Sequence, residues 1–350
     1  MALIVQKFGG TSVADPAARE LMLRKVEAAR SKGDRIVVVV SAMGRKGAPY
    51  ATDTLLGLLG EARGAAAVSV GACGSGAATA AGGRTRDLLA SCGETISACL
   101  VASLLCARGT PATPMTAYTA GMRADGPFEN ADIASVDGER VMNAVRAGIV
   151  PVITGFQAVN PDGDIVTIGR GGSDTTAVAV GAAIGADYVD IYTDVPGVAA
   201  ADPRIVPGAP FLARLDYPSM FRLASNGARV LHDRSALLGE RSGARIRVRS
   251  TFDDGEGTLV SAEPLPAGAP AILGIASVAK GDGAVVTVVC AEGRAAGIRT
   301  RAVAAAEAAG ATPAVTAADA DADADALSFW CPAGEAPDLV RALFSAVGSL

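Results

Sequence analysis

The sequence predicts an α/β fold with a mainly parallel sheet, followed by a smaller C-terminal βαββα unit. Three observations carry this. Strand-like apolar runs alternate with helical patterns along the N-terminal part of the chain, the order that builds parallel sheets. "RIVVVVS" (Arg35 to Ser41) is apolar without a break, the mark of a strand covered on both faces. At 350 residues the chain is also too long for one compact core of ordinary size, so two domains are expected.

Each element has its own reason. "ALIVQKF" reads as a strand, and Pro16 to Lys32 as a helix opened by Asp15 with Pro16 at its first position. After "RIVVVVS" a helix is expected from Thr52 to about Arg63. Gly64 to Gly83 shows little periodicity and is expected to be a loop with freedom to move. "GETISACLVASLLCARG" is a helix ended by Gly109, and "GIVPVITGF" is a strand leading into a glycine. "GRGGSDTTAVAVGAAIG" is a glycine loop running into a helix, and "DYVDIYTD" is the next strand. The Gly-, Pro- and acid-rich stretch Asp253 to Pro270 reads as a linker, which divides the chain into domains 1–262 and 263–350. Beyond it come strand "AVVTVVC", a helix from about Arg294 to Ala309, strands "TPAVTA" and "ALSFWCP", and a helix from Ala336 to Val347. The low-complexity "ADADADADA" between the last two strands is expected to be a surface loop.

Composition excludes several classes. A formal net charge of −5 argues against a dedicated nucleic-acid binder. No apolar run approaches the roughly 18 to 20 residues that span a bilayer, so no membrane partner is expected. The chain enters its first strand at once, with no room for a signal peptide, and the cytoplasm is the expected location. Six cysteines without a C-x-x-C pair, and one histidine (His232), do not make a zinc site of the usual kind. Cys92, Cys99 and Cys106 recur every seven residues and read as small core residues of one helix face.

Three glycine loops look suited to phosphate. In "KFGGTS", Gly9 and Gly10 let backbone amides reach an oxyanion, and Lys7 adds a mobile positive charge; a plain strand–turn–helix with a surface lysine fits equally well. In "GRGGSD", Gly171 and Gly172 open the backbone, Arg170 can grip a carboxylate or phosphate with two prongs, and Ser173 or Asp174 can cap the helix. An ordinary cap needs only one of those last two. "TDVPGVAAADPR" delivers Thr193 and Asp194 to the carboxyl edge of the sheet, though its Pro-Gly and Asp-Pro steps also make routine turns. Glu94 in "SCGET" and Thr52 with Asp53 in "YATDTLL" sit at expected helix starts, where the helix dipole alone favours a carboxylate.

Taken together these segments resemble the aspartate kinases of the amino-acid kinase superfamily. "VQKFGGTSV", "VVVVSAMGRKGAPYATDTLL", "DLLASCGETIS", "GFQAV…VTIGRGGSDTTA", "IYTDVPGV…ADPRIV", "LASNGARVLH" and "RIRVRSTF…GTLV" follow in the family's order and cover Met1 to Val260. The resemblance implies a three-layer αβα sandwich with a C-terminal ACT-like, ferredoxin-like domain. It implies ATP-dependent phosphorylation of the L-aspartate side chain with Mg²⁺, in a homo-oligomer, as a step of amino-acid biosynthesis. Catalytic roles fall on Lys7 and Asp174, and substrate roles on Thr52, Glu94, Arg170 and Ser173. Nucleotide roles fall on Lys7, Phe8, Gly9, Gly10, Gly171, Gly172, Thr193, Asp194, Arg204, Arg229 and Val230. Four positions depart from the family pattern: Ala199, Ala200, Arg229 in place of a lysine, and Asp233 in place of a proline. His232 is expected to be structural. Family members generally carry two ACT modules, and the single C-terminal pattern leads to the expectation of weak or absent feedback regulation. Two other readings are a kinase of the same fold acting on another amino acid or carboxylate, and a catalytically silent regulatory partner.

Overall fold

The structure, a computed structural model, describes residues 1–66, 75–266, 268–313 and 325–347. The chain begins with β1 (Leu3–Phe8), α1 (Pro16–Ser31), β2 (Arg35–Val40), α2 (Thr52–Ala66) and α3 (Ser75–Ala107). β3 (Ala112–Met115), β4 (Met122–Asp125), β5 (Asp132–Val136), α4 (Glu139–Arg146) and β6 (Val150–Thr154) follow. Next come β7 (Gln157–Val159), β8 (Ile165–Thr167), α5 (Gly172–Ile184), β9 (Tyr188–Thr193), β10 (Arg214–Leu215) and α6 (Tyr217–Ser225). The remainder is α7 (Asp233–Ser242), β11 (Ile246–Ser250), β12 (Thr258–Val260), β13 (Ile272–Lys280), β14 (Gly283–Cys290), α8 (Ala295–Ala308), β15 (Thr312–Pro313), β16 (Ala326–Pro332) and α9 (Ala336–Val347). These form two compact units. Unit 1 is Met1–Val195 with Ser242–Gly255, and unit 2 is Pro196–Arg241 with Glu256–Leu350.

Unit 1 is built on parallel strands in the order β11-β9-β1-β2-β6-β3. Residue parity sorts the two faces of the sheet. Ile4, Phe8, Ile36, Val38, Val40, Val150 and Val152 pack with Met22 and Val26 of α1 and with Ala98, Val101, Ala102 and Leu105 of α3. α4 and α5 cover the opposite face, where α5 comes so close that a Cβ on Gly181 would lie 2.5 Å from Val189 and 3.6 Å from Val5. With both faces covered, β1 is buried at every position, and β2 at every position but its first. The result is the expected α/β sandwich on a mainly parallel sheet. Asp15 opens α1 as expected: its Oδ1 accepts from the Ala18 N–H at 2.9 Å, with Pro16 in the first turn.

α3 departs from the sequence reading. It starts at Ser75, so the stretch expected to be a loop, Gly64 to Gly83, is helical at both described ends, while residues 67–74 lie outside the described residues. Alanine is the strongest helix former and needs no amphipathic pattern to be helical. The portion Gly82–Ala107, with mean hydropathy 1.7, is long and apolar enough to cross a membrane by length and composition alone, as core helices also can be. Its inner side packs on the sheet and also buries Asp87 and Glu94. The cysteine reading is corrected too: Cys99 and Cys106 are exposed and Cys92 is partly so. A seven-residue repeat marks one helix face without saying which, and the Ala98–Leu105 stripe took the inside.

Unit 2 carries an antiparallel sheet in the order β13-β14-β16-β15, with α8 and α9 packed on one face around Val286, Val288, Ile298, Phe329, Leu339 and Leu343. The element order is ββαββα, not βαββα, because "ILGIASVAK" forms β13. It begins directly after the Gly- and Pro-rich stretch, whose composition hid it. Residues 314–324, holding most of "TPAVTA" and of the Ala-Asp repeat, lie outside the described residues.

Candidate active site

Strand parity places Lys7 on the α5 face of the sheet, beside the first turn of that helix. Its Nζ lies 2.6 Å from Asp174 Oδ1, and both side chains are largely buried. Neither Ser173 nor Asp174 caps α5. The cap position is Gly171, at φ +69°, and no side chain bonds there. The ordinary N-cap reading of "GRGGSD" therefore fails, and the Asp174 carboxylate pairs with Lys7 instead. Gly10 is needed for a close approach: a Cβ there would lie 2.6 Å from the Gly44 carbonyl oxygen and 2.9 Å from that of Ala42, while Gly44 N–H donates to Gly10 O at 2.9 Å. Beside them the Gly9 N–H donates to Tyr192 O at 3.3 Å, and Phe8 is buried and stacks on Tyr192 at 4.7 Å.

Lys7, Gly10, Thr52, Glu94, Arg170, Gly171, Gly172, Ser173 and Asp174, all named from the sequence, line one cleft of about 700 Å³ in unit 1. Glu94 lies deep inside α3, so the helix dipole does not explain it. It is 3% exposed, its Oε1 accepts from the Ala42 N–H at 2.9 Å, and its Oε2 is buried with no partner. Burial pushes its acid group up to about 8. A buried carboxylate oxygen without a donor is unfavourable until a cation or donor arrives. Arg170 is the converse: exposed, in the cleft wall, and without an ion pair or hydrogen bond among the described residues. One cleft thus offers a buried carboxyl group short of a partner, an exposed cation, and a glycine-framed lysine.

Other expected site residues lie outside the lining of this cleft. Thr193 Oγ1 donates to Asp194 Oδ1 at 3.1 Å, and Arg45 Nη2 contacts Asp194 Oδ2 at 2.5 Å on the surface. Arg204, Arg229 and Val230 belong to unit 2. Arg204 pairs with Asp202 at 2.6 Å, while Arg229 is exposed and Val230 half-buried between α6 and α7. His232, also in unit 2, has Nδ1 2.7 Å from Asp233 Oδ1.

The structure adds residues that the sequence reading missed: Arg86, Asp87, Glu129, Phe156 and Thr167 also line the cleft. Glu129 and Phe156, both at φ +70°, are the two non-glycine residues with positive φ among the described residues. Such backbone strain collects at functional sites. Asp87 had a readable signal. Asp87, Ser91 and Glu94 sit at i, i+4 and i+7 of an apolar helix and are all buried. Starting the helix at Gly93 concealed it.

An amino acid kinase family model matches residues 2–250. Aspartokinase 1 of Bacillus subtilis (strain 168) is 45% identical over 261 residues, 75% of this chain and 61% of its own length. An aspartokinase of Thermus thermophilus is 40% identical over 260 residues, 74% of this chain and 59% of its own length. The chain spans about three fifths of the length of the curated relatives it matches. In fold it is similar to the crystal structure of E. coli aspartokinase III in complex with aspartate and ADP, with a TM-score of 0.78 at 21% identity, covering 99% of this chain and 100% of that one. On the extent of the family match, this chain belongs to the amino acid kinase family.

Proposed function

We propose that the protein transfers the γ-phosphoryl group of ATP to the side-chain carboxylate of L-aspartate, giving 4-phospho-L-aspartate and ADP. The observation that carries this reading is Glu94: a buried, half-unsatisfied carboxylate facing the same cleft as the unpaired Arg170 and the Lys7–Asp174 pair. An α-amino acid brings the ammonium that Glu94 lacks and a carboxylate for Arg170 to grip in two-pronged fashion. The similarity to aspartokinases supports aspartate as that amino acid.

The chemistry asks little of a general base. An aspartate side chain titrates near 4, so at neutral pH it is already a nucleophile. The chain's work is to bring two anions together and neutralise them. Lys7 steadies the transferring phosphoryl group, and Gly9, Gly10, Gly171 and Gly172 leave the backbone open to phosphate. The Gly9 and Gly172 amides already donate to Tyr192 O and Gly169 O, so the Gly10 and Gly171 amides are the ones offered to phosphate oxygens. Thr52 and Ser173 flank the amino acid. Asp174 would hold Mg²⁺ together with the nucleotide, since the ion binds through one or two carboxylates plus substrate phosphates, and it would supply positive charge against the phosphates.

Thr193, Asp194, Arg204, Arg229 and Val230 are assigned to the nucleotide on family resemblance alone. The same reading takes 1–262 as the catalytic domain, 263–350 as an ACT-like domain, and the protein as a cytoplasmic homo-oligomer. The test is ATP turnover with Mg²⁺ in the presence of hydroxylamine, which traps acyl phosphates. Aspartyl hydroxamate should form with L-aspartate. Hydroxamate formed only from some other acid would reassign the substrate, and none from any acid would reject the kinase reading.

A further inference from the structure

Asp87 is a buried ionisable residue for which the mechanism above has no use. It lies on α3 at 1% exposure and accepts three hydrogen bonds. Its Oδ2 takes the Thr167 N–H at 2.8 Å and the Glu129 N–H at 2.9 Å, and its Oδ1 takes the Thr167 hydroxyl at 2.9 Å. The two amides come from different walls of the cleft. Thr167 ends β8, three residues before Arg170. Its carbonyl accepts from Ala131 N–H at 3.0 Å, and the next amide, Ile168 N–H, donates to Phe156 O at 2.9 Å. One carboxylate therefore ties the left-handed Glu129 to the strand end that carries Arg170, and that strand end is bonded in turn to the left-handed Phe156.

Arg170 has no partner of its own among the described residues, so its place in the cleft is set by the backbone on which it stands. We propose that Asp87 is a positioning residue: it clamps the Glu129 turn and the end of β8, and so aims Arg170 at the acceptor's carboxylate. This rests on the amino-acid kinase reading for the identity of the acceptor, but the clamp itself does not. A carboxylate suits this place best: an asparagine oxygen could still take the two N–H groups, but as a weaker acceptor, and its NH2 would face the Thr167 hydroxyl, which would have to turn round to accept.

The full-length protein tests this with Asp87→Asn, Thr167→Val and Thr167→Ser. With Arg170 misplaced, the KM for L-aspartate should rise at least tenfold in Asp87→Asn, with kcat within about threefold and the KM for ATP within about twofold. Thr167→Val, which loses one of the three bonds, should raise the aspartate KM about threefold, and Thr167→Ser should restore it. In parallel, amide hydrogen exchange over 127–131 and 165–172 should be at least tenfold faster in Asp87→Asn, with α1 unchanged. If Asp87→Asn does not fold, Thr167→Val with its serine rescue decides the matter. Unchanged aspartate KM in folded variants would overturn the proposal, as would equal losses for aspartate and ATP. If the wild type phosphorylates no acid, the kinase reading falls, and the exchange result alone upholds or rejects the clamp.

Discussion

The two units bury polar groups in different ways. In unit 1, Lys7, Asp87, Glu94 and Asp190 are all buried, although ionisable groups are the hardest to take out of water. In unit 2 the buried polar residues described are serines and threonines (Ser219, Ser235, Thr258, Ser261 and Thr287), and they are met locally, as where Thr287 reaches Asn226 and Ser328 at 2.9 Å. The core around its antiparallel sheet is otherwise Ala, Val, Ile, Leu and Phe with two buried cysteines, Cys290 and Cys331. These four buried ionisable groups of unit 1 also differ among themselves. Asp190 is held by Arg247 at 2.5 and 3.0 Å, Asp87 accepts three hydrogen bonds, Lys7 has Asp174, and Glu94 has one bond and one bare oxygen. The less the fold itself satisfies a buried ionisable group, the more it points to a ligand. By that measure Glu94, in unit 1, is the clearest mark of binding among the described residues.

The contrast can be broken at several points, beginning with the strongest. Lys7→Ala should lower kcat about 1,000-fold, since it removes the positive charge beside the glycine segments proposed to hold phosphate; steady-state turnover reads this directly. In unit 2, where Leu343 is fully buried, Leu343→Ala should cost about 2–5 kcal/mol in urea unfolding, with turnover per folded molecule little changed.

Glu94→Gln should separate stability from function. Burial holds the acid form of Glu94 up to about 8, against an ordinary value of 4.5. Between these values the folded chain keeps a proton that the unfolded chain has lost, so stability falls as pH rises through that window and levels off above it. The slope is about 1.4 kcal/mol per pH unit at most. Urea midpoints at pH 5, 7 and 9 should show the slope in the wild type and its loss in the glutamine variant, which should bind L-aspartate more weakly. The smallest effect is expected from Arg170→Lys: the aspartate KM up about tenfold as two-pronged recognition is lost, and thermal stability unchanged, because the guanidinium supports nothing in the fold.

What was legible in the sequence depended on how local the information was. Lys7 with its glycines, and Arg170 with Gly171 and Gly172, lie in short segments whose residue types already exceed the needs of a turn. The parallel sheet was legible because continuous runs such as Val37–Val40 have no other stable home. The pairing of Lys7 with Asp174 was not, since it follows from strand parity and the packing of α5 across 167 residues of chain. Glu94 was named for its chemistry but placed at the wrong point of its helix. The Ala- and Gly-rich lead into α3 carries no periodicity, so both the helix start and the Asp87–Ser91–Glu94 stripe went unseen. The cysteines misled for a related reason: periodicity gives a face, and only packing tells which side is inward.

The most direct measurement is proton release on binding. L-aspartate is titrated calorimetrically into the wild type at pH 7 in two buffers of different ionisation enthalpy. With its acid group at about 8, Glu94 in the empty cleft is about 90% protonated at that pH, and the arriving ammonium should expel the proton. Release of close to one proton per aspartate, abolished in Glu94→Gln, is the result expected. Aspartate binding with no buffer-dependent proton release, or no binding at all, would contradict the claim that the bare oxygen of Glu94 is the substrate's seat.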